Sequence, residues 1–487
     1  MHTRLKNKLT AILIILSFFI MAAVSVSAIF ALTQQNVKTD IDADYVAPTI
    51  DALTFTLSED GNSYSVTDCD DSLIAGINGN LTIPSVYNGK PVLEIGKNAF
   101  KSKNNLVSIT LEEGITTIGY SAFVSCSNLE YVTLPQSLNT ITTKSLISLI
   151  FYDIQQPFAY CNKLKKIQVA EGNENFSSQG NCLVDLVNKV LITGCNTSAM
   201  PTDGRITSIL DYAFYNCDEI TKVDIPQGVT SVGSYAFGLC DNLEEIKIPN
   251  SVTSIKLTSL YECKSLKSIQ VSSGNSVYHS SGNCLIETGN KKLVLGCRTS
   301  VIPNDNSVTS IGKSAFYECE GLTSITIPSS VTNIGEKAFM YCSSITNVVI
   351  PNSVTTLDIQ AFYGCSNLQS VTISTSLTTI PVQTFCLCYN LKNVTIPSNI
   401  INIGSSAFNS TAITSITIPS GVTSIGQYAF NCDYLSNVTF ANPNNWFVAT
   451  SDDATTGTTL SATNLSNTST AATYLTTTYI EQYWKRA

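Results

Sequence analysis

Sixteen cysteines are the residues of this chain best suited to redox or metal chemistry, and their spacing decides which chemistry is open. Cys126, Cys161, Cys217, Cys240, Cys263, Cys319, Cys342, Cys365 and Cys388 each stand three residues after a Phe, or after Leu260 in one case. A thiol that recurs once per stacked unit points the same way as its neighbours, which disfavours the crossed geometry of a disulfide. These nine are expected to form a ladder of buried free thiols that pack as small hydrophobes. Four others differ. Cys182 and Cys195 flank a segment centred on Asn188 and Lys189, and Cys284 and Cys297 flank a copy of it. With Asn188-Lys189 as a two-residue hairpin turn, Cys182 falls opposite Cys195 at a non-hydrogen-bonded site, and the same arithmetic pairs Cys284 with Cys297. Two local disulfides are expected there; a longer turn would break the register and leave free thiols.

Other chemistry is sparse. Of the two histidines, His2 lies in the leader and His279 reads as a solvated hairpin residue, and neither a nucleophile elbow nor a Cys-x-x-Cys metal motif is present. No cofactor and no metal are expected, and the reading is of a non-enzyme. Paired carboxylates can meet in any fold, so a carbohydrate-active enzyme stands as an alternative.

The elements that carry these residues are repeats. Ala-Phe recurs with Phe100, Phe123, Phe214, Phe237, Phe316, Phe339, Phe362, Phe408 and Phe430, most often at intervals of 23. The unit is represented by Leu322, Ile325, Ile327, Pro328, Val331, Ile334, Gly335, Ala338, Phe339 and Cys342. Its L-x-x-I-x-I part predicts a short strand ended by proline, and A-F-x-x-C has the spacing of a short helical turn. Pro381 replaces the glycine of one unit, so that glycine serves close packing rather than a left-handed backbone. One coil cannot bury its apolar ring alone; about twelve of them stacked can. Two longer intervals hold copied insertions, "GNCLVDLVNKVLITGC" and "GNCLIETGNKKLVLGC", each read as a β-hairpin leaving the solenoid, and a shorter one lies around "KSLISLIFYDIQQ".

The expected architecture is an α/β solenoid, mainly β, of 23-residue leucine-rich repeats stacked right-handedly. Residues 1–32 read as a signal peptide or an N-terminal membrane anchor, 33–80 as linker and N-terminal cap, and 81–440 as the solenoid, with hairpins at about 170–200 and 272–303. Residues 441–487 form a Ser/Thr-rich tail ending in Tyr479, Tyr483 and Trp484, which suits a C-terminal cap over an open sheet edge.

With those residues in hand, the chain resembles the bacterial surface-antigen (BspA-like) leucine-rich-repeat family. The likeness runs from "FTLSEDGNSYSVT" through coils such as "LTSITIPSSVTNIGEKAF" to "STAATYLTTTYIEQYWKR". It implies an exported surface protein, associated in some members with adhesion, without one shared binding residue.

Function is then sought on exposed strand positions. The net charge of −9 argues against nucleic acid, and a membrane enters only through the N-terminal segment if it stays uncleaved. The solvent-facing positions are chemically varied in the N-terminal half and a monotonous run of Ser, Asn and Thr in the C-terminal half. A binding surface is therefore placed across Tyr131, Lys166, Lys222, Asp224, Glu245 and Lys247. The expected function is binding of a protein or glycan at the cell surface, in adhesion, with a structural surface-layer component as a further alternative.

Overall fold

The structure, a computed structural model, describes residues 50–143, 156–256 and 258–487. The leader, most of the linker and the short insertion lie outside the described residues. Most coils supply a strand with alternating burial: in Tyr131–Leu134, Val132 and Leu134 face the core, and in Ser415–Ile418, Ile416 and Ile418 do. Successive coils pair in parallel one repeat apart, Ser108 with Tyr131, Glu245 with Ser268 and Ser370 with Asn393. A second wall of two-residue strands stacks likewise, Ser231 on Ser254 and Asn333 on Thr356. The result is a mainly-β solenoid. In the representative coil Ile325 and Ile327 are buried as expected, yet no ladder strand forms around them.

The A-F-x-x-C segments are not helical turns. Lys337 and Tyr341 have φ of 57° and 60°, and the same left-handed pair brackets Phe123 (Ser121, Ser125) and Phe385 (Gln383, Leu387). A helix would satisfy its N–H groups internally; here the N–H groups of Phe316, Phe339 and Phe362 donate to Ala338, Ala361 and Thr384 of the next coil at 2.8, 2.8 and 3.0 Å. A left-handed residue costs about 1–2 kcal/mol. An orphaned buried N–H costs about 1–3 kcal/mol, so inter-coil bonding offsets the turn conformation.

The glycine column behaves as the sequence implies. A Cβ on Gly335 would lie 2.8 Å from the Lys313 nitrogen, and one on Gly404 would lie 2.5 Å from the Val382 nitrogen, in the coil below. Beside it the phenylalanine rings stack, Phe316 on Phe339 at 5.0 Å and Phe339 on Phe362 at 5.1 Å, nearly parallel. The column continues to Phe430. Where the insertions interrupt it, a glycine replaces a ring: a Cβ on Gly194 or Gly296 would run into Phe214 or Phe316.

The hairpins do not leave the solenoid. Val190 and Leu191 pair in parallel with Ser208 and Ile209, and Lys292 and Leu293 with Ser310 and Ile311, so each insert continues the short-strand wall. The reason is that both faces of each insert are apolar. Val184 and Leu191 face one core while Leu183 and Ile192 face another; Ile286 and Leu293 are divided from Leu285 and Val294 in the same way. Each hairpin is a partition, and the core falls into three clusters.

This geometry also corrects the cysteine register. Asp185 pairs with Val190, so the turn holds four residues rather than two, and an irregularity between Leu183 and Val184 shifts the pairing again. The second copy has the same shift between Leu285 and Ile286. Cys182 joins the middle core and Cys195 the N-terminal one; Cys284 joins the C-terminal core and Cys297 the middle one. All four are free thiols. Beyond the last coil, Tyr483–Arg486 runs antiparallel to both Ser424–Ile425 and Trp446–Ala449, burying Trp446 and Trp484, and Ala462–Ser466 and Thr468–Thr473 are short helices near Asn437–Phe440. Among the described residues no helix is long and apolar enough to cross a membrane.

Candidate interaction surfaces

Strand alternation places the six sequence-chosen residues on the outer face, but not on one sheet. Tyr131, 44% exposed, stands in register beside Lys166 at the end of the sheet that begins with Asn80–Ile83. Lys222, Asp224, Glu245 and Lys247 lie on the next sheet, with Lys222 in register with Glu245 and Asp224 with Lys247. Between the sheets sits the end of the first hairpin, where Thr197 donates its hydroxyl to the Lys165 carbonyl at 2.8 Å. The four charges form a checkerboard: Lys222 lies 3.5 Å from Asp224 and 3.7 Å from Glu245, and Lys247 lies 3.9 Å from Asp224 and 3.4 Å from Glu245. At these separations, with all four partly exposed, the pairs contribute little to stability and are free to exchange partners. Farther along, the face is neutral, as where the Ser370 hydroxyl meets Asn347 Oδ1 at 2.6 Å.

The thiol ladder does more than fill space. Cys126, Cys240, Cys342 and Cys388 direct Sγ at the carbonyls of Phe100, Phe214, Phe316 and Phe362 one coil back, at 2.9, 3.1, 3.0 and 3.3 Å. Burial pushes the Cys240 and Cys365 thiols up to about 12, so they stay protonated and able to donate. His279 contacts the Thr288 hydroxyl through Nδ1 at 2.9 Å across its hairpin. Among the described residues, no group of three His, Cys, Asp or Glu side chains is arranged to hold a metal ion. The short-strand wall carries a cleft of about 520 Å³ holding Asp185 and Asp211. Asp211 accepts the Ser234 N–H at 2.7 Å and Asp185 accepts two bonds from Asn188, so both carboxylates already serve the fold.

A third surface was missed from the sequence. Along the turn edge, Tyr160, Tyr215, Tyr212, Tyr235, Tyr261, Tyr317, Tyr341 and Tyr363 make a chain of ring contacts 4.4–6.2 Å apart. All are half-buried. Glu262 and Glu318 are set among them, two residues past the Phe column, where positive φ (55° and 53°) turns their side chains onto this edge. Burial, and after it the Glu262 carboxylate, pushes Glu318 up to about 7. The available signal was tyrosine directly after the column position, at Tyr215, Tyr261, Tyr317 and Tyr363.

Three comparisons bear on this architecture. The family described as BspA type leucine rich repeat region, in six copies, matches residues 79–180, 187–305, 290–388 and 360–475. Among solved structures, a leucine-rich cell surface protein of Faecalibacterium prausnitzii is 24% identical, with 80% of this chain and 93% of that chain covered and a TM-score of 0.47. A leucine-rich repeat protein of Eubacterium ventriosum is 20% identical over 79% and 93%, TM-score 0.45, and the pneumococcal vaccine antigen PcpA is 18% identical over 80% and 86%, TM-score 0.36. A comparison with curated proteins found no match. With matched segments spanning most of the residues from 79 to 475, the chain belongs to the BspA-type leucine-rich-repeat family.

Proposed function

We propose that this protein is a cell-surface binding protein that holds a protein ligand against its outer strand face, in adhesion. The observation that carries the reading is the checkerboard of Lys222, Asp224, Glu245 and Lys247, flanked by Tyr131 and Lys166. A rigid sheet presents these groups at fixed spacing, so a partner pays little ordering entropy on the protein's side. Alternating charges with a net of zero favour one orientation of a partner over others without raising long-range attraction. Membership of a family with surface-exposed relatives supports the location, and the apolar segment of residues 9–32 supports export.

The test is capture of surface proteins, with a glycan array in parallel, by the full chain and by a Lys166→Ala, Asp224→Ala, Lys247→Ala triple variant. Loss of protein capture in the variant is expected. Unchanged capture would remove the strand face from consideration, and binding confined to the glycan array would replace the protein ligand with a sugar.

A further inference from the structure

On the turn edge, the positions two and four residues past the Phe column line a cleft of about 340 Å³ that spans four coils. The first column runs Glu318, Tyr341, Gly364 and Leu387, all with positive φ between 53° and 70°. The second begins with Glu320 and ends with Tyr389, with serines between. Gly364 shapes the floor: a Cβ there would run into the Tyr341 ring, so glycine lets that ring lie across the cleft. One end is apolar, with Leu387 and Tyr389, the latter 56% exposed. The other end holds Glu318 and Glu320, with Glu262 behind.

That end is short of positive charge. No ion pair among the described residues engages Glu262, Glu318 or Glu320. The nearby Lys264 is paired with Asp241 at 3.4 Å and acts on Glu320 and Glu262 only through its longer-range charge. The other titratable groups near the carboxylates are Arg298, whose stem lies against Gly321 beside Glu320, and the phenols of Tyr215, Tyr235, Tyr261, Tyr317 and Tyr341, of which Tyr317 hydrogen-bonds Glu318 and Tyr261 hydrogen-bonds Glu262.

An apolar trough leading to carboxylates that make no ion pair, beside an aromatic ring, matches a side chain with an aliphatic stem and a cationic tip. We propose that this cleft docks an arginine or lysine side chain of a partner polypeptide, the stem over Leu387 and Tyr389, the cation between Glu318, Glu320 and the Tyr341 ring. The site is independent of the strand face, since it shares no residue with it. An incoming cation replaces the missing counter-charge and relieves the crowding of Glu318 by Glu262, which is also why binding should depend on pH: the carboxylate that accepts the cation forms as pH rises through about 7.

The experiment is fluorescence anisotropy of a labelled nona-arginine peptide with the full chain, at pH 6 and pH 8, beside a nona-glutamine peptide and a neutral oligosaccharide. Binding to the cationic peptide should be tighter at pH 8. An E318Q/E320Q variant and, separately, the exposed Tyr389→Ser should each weaken it roughly ten-fold, and E318Q should flatten the pH dependence. A control neutralising two exposed acids elsewhere, E59Q/E171Q, should change it less than about two-fold, which separates the cleft from the chain's general acidity. Equal weakening by the control, indifference to E318Q/E320Q, or equal binding of nona-glutamine would overturn the proposal. Tyr389-dependent binding of the oligosaccharide without the cationic peptide would overturn it in favour of a sugar.

Discussion

Replacing Phe339 by Ala removes the middle of a stack. The ring is fully buried and lies 5.0 Å from Phe316 and 5.1 Å from Phe362, tilted by 9° and 4°. Deleting a buried Phe side chain costs about 3–5 kcal/mol through lost transfer energy and residual cavity. Each aromatic pair adds about 0.5–1.5 kcal/mol beyond area burial, and two are lost here, which places the expected loss at the upper end, about 5 kcal/mol. Phe100 is equally buried but stacks on Phe123 alone, at 5.2 Å. Phe100→Ala should therefore cost about 4 kcal/mol, roughly one pair less. Urea unfolding of the full chain, followed by circular dichroism and by Trp446 and Trp484 fluorescence, measures both. The tryptophans report on the C-terminal core that contains Phe339, so Phe339→Ala should shift their transition and Phe100→Ala should shift it less. A loss below about 1 kcal/mol for Phe339→Ala, or a larger loss for Phe100→Ala, would refute nearest-neighbour stacking as the source of stability.

Other consequences are as direct. Gly335→Ala forces a Cβ against the backbone of the coil below and should cost about 1–3 kcal/mol in the same unfolding assay. Gly289→Ala, with open space around it, should stay within about 0.5 kcal/mol of wild type. Alkylation of the unfolded, unreduced chain should label every one of its sixteen cysteines by mass; a count short by two or four would restore the hairpin disulfides. Glu318 makes stability fall with alkalinity: its folded pKa of about 7 exceeds the ordinary 4.5, so the folded state holds the proton more tightly, and that contribution is present below 4.5 and lost as pH rises through about 7. Glu318→Gln should match wild type in Tm at about pH 4 and exceed it at pH 8; the reverse order would contradict the burial and crowding assigned to that carboxylate.

The repeat was legible because its columns are enforced by spacing. Ile, Phe, Gly and Cys recur at positions where most other choices would leave a void, a clash or an unfilled carbonyl, and Gly335 and Gly404 carry the close approach that Pro381 implied. The turn conformation was not legible, because Asn98, Asn216 and Gly364 are outnumbered at the left-handed positions by residues such as Lys337, Leu387 and Ser121, and what stabilises them is a hydrogen bond to another coil. The hairpins were visible as hairpins, but their turn length and irregular pairing were not, so the cysteine pairing failed by register. Their role as partitions follows from apolar residues on both faces, Leu183 and Val184 being adjacent and both fully buried. Of the strand-face residues, charge variety pointed to the checkerboard, whereas the break between Tyr131–Lys166 and the other four depends on where the partition meets the wall. The tyrosine edge went unread because its members occupy three different repeat positions that only the turns bring together.

The central claim is that each coil's backbone is hydrogen-bonded to the next, and amide hydrogen exchange resolved by fragment reads it directly. The amides of Phe316, Phe339, Phe362 and Phe385 donate to carbonyls in the following coil at 2.8–3.0 Å and should be among the slowest to exchange. In Phe408→Ala, protection should fall first at Phe385 and Leu387, the donors to that coil, and last at Phe316. Rapid exchange of these amides in the wild-type chain, or protection that ignores the neighbouring coil, would contradict the stacked arrangement on which both binding surfaces depend.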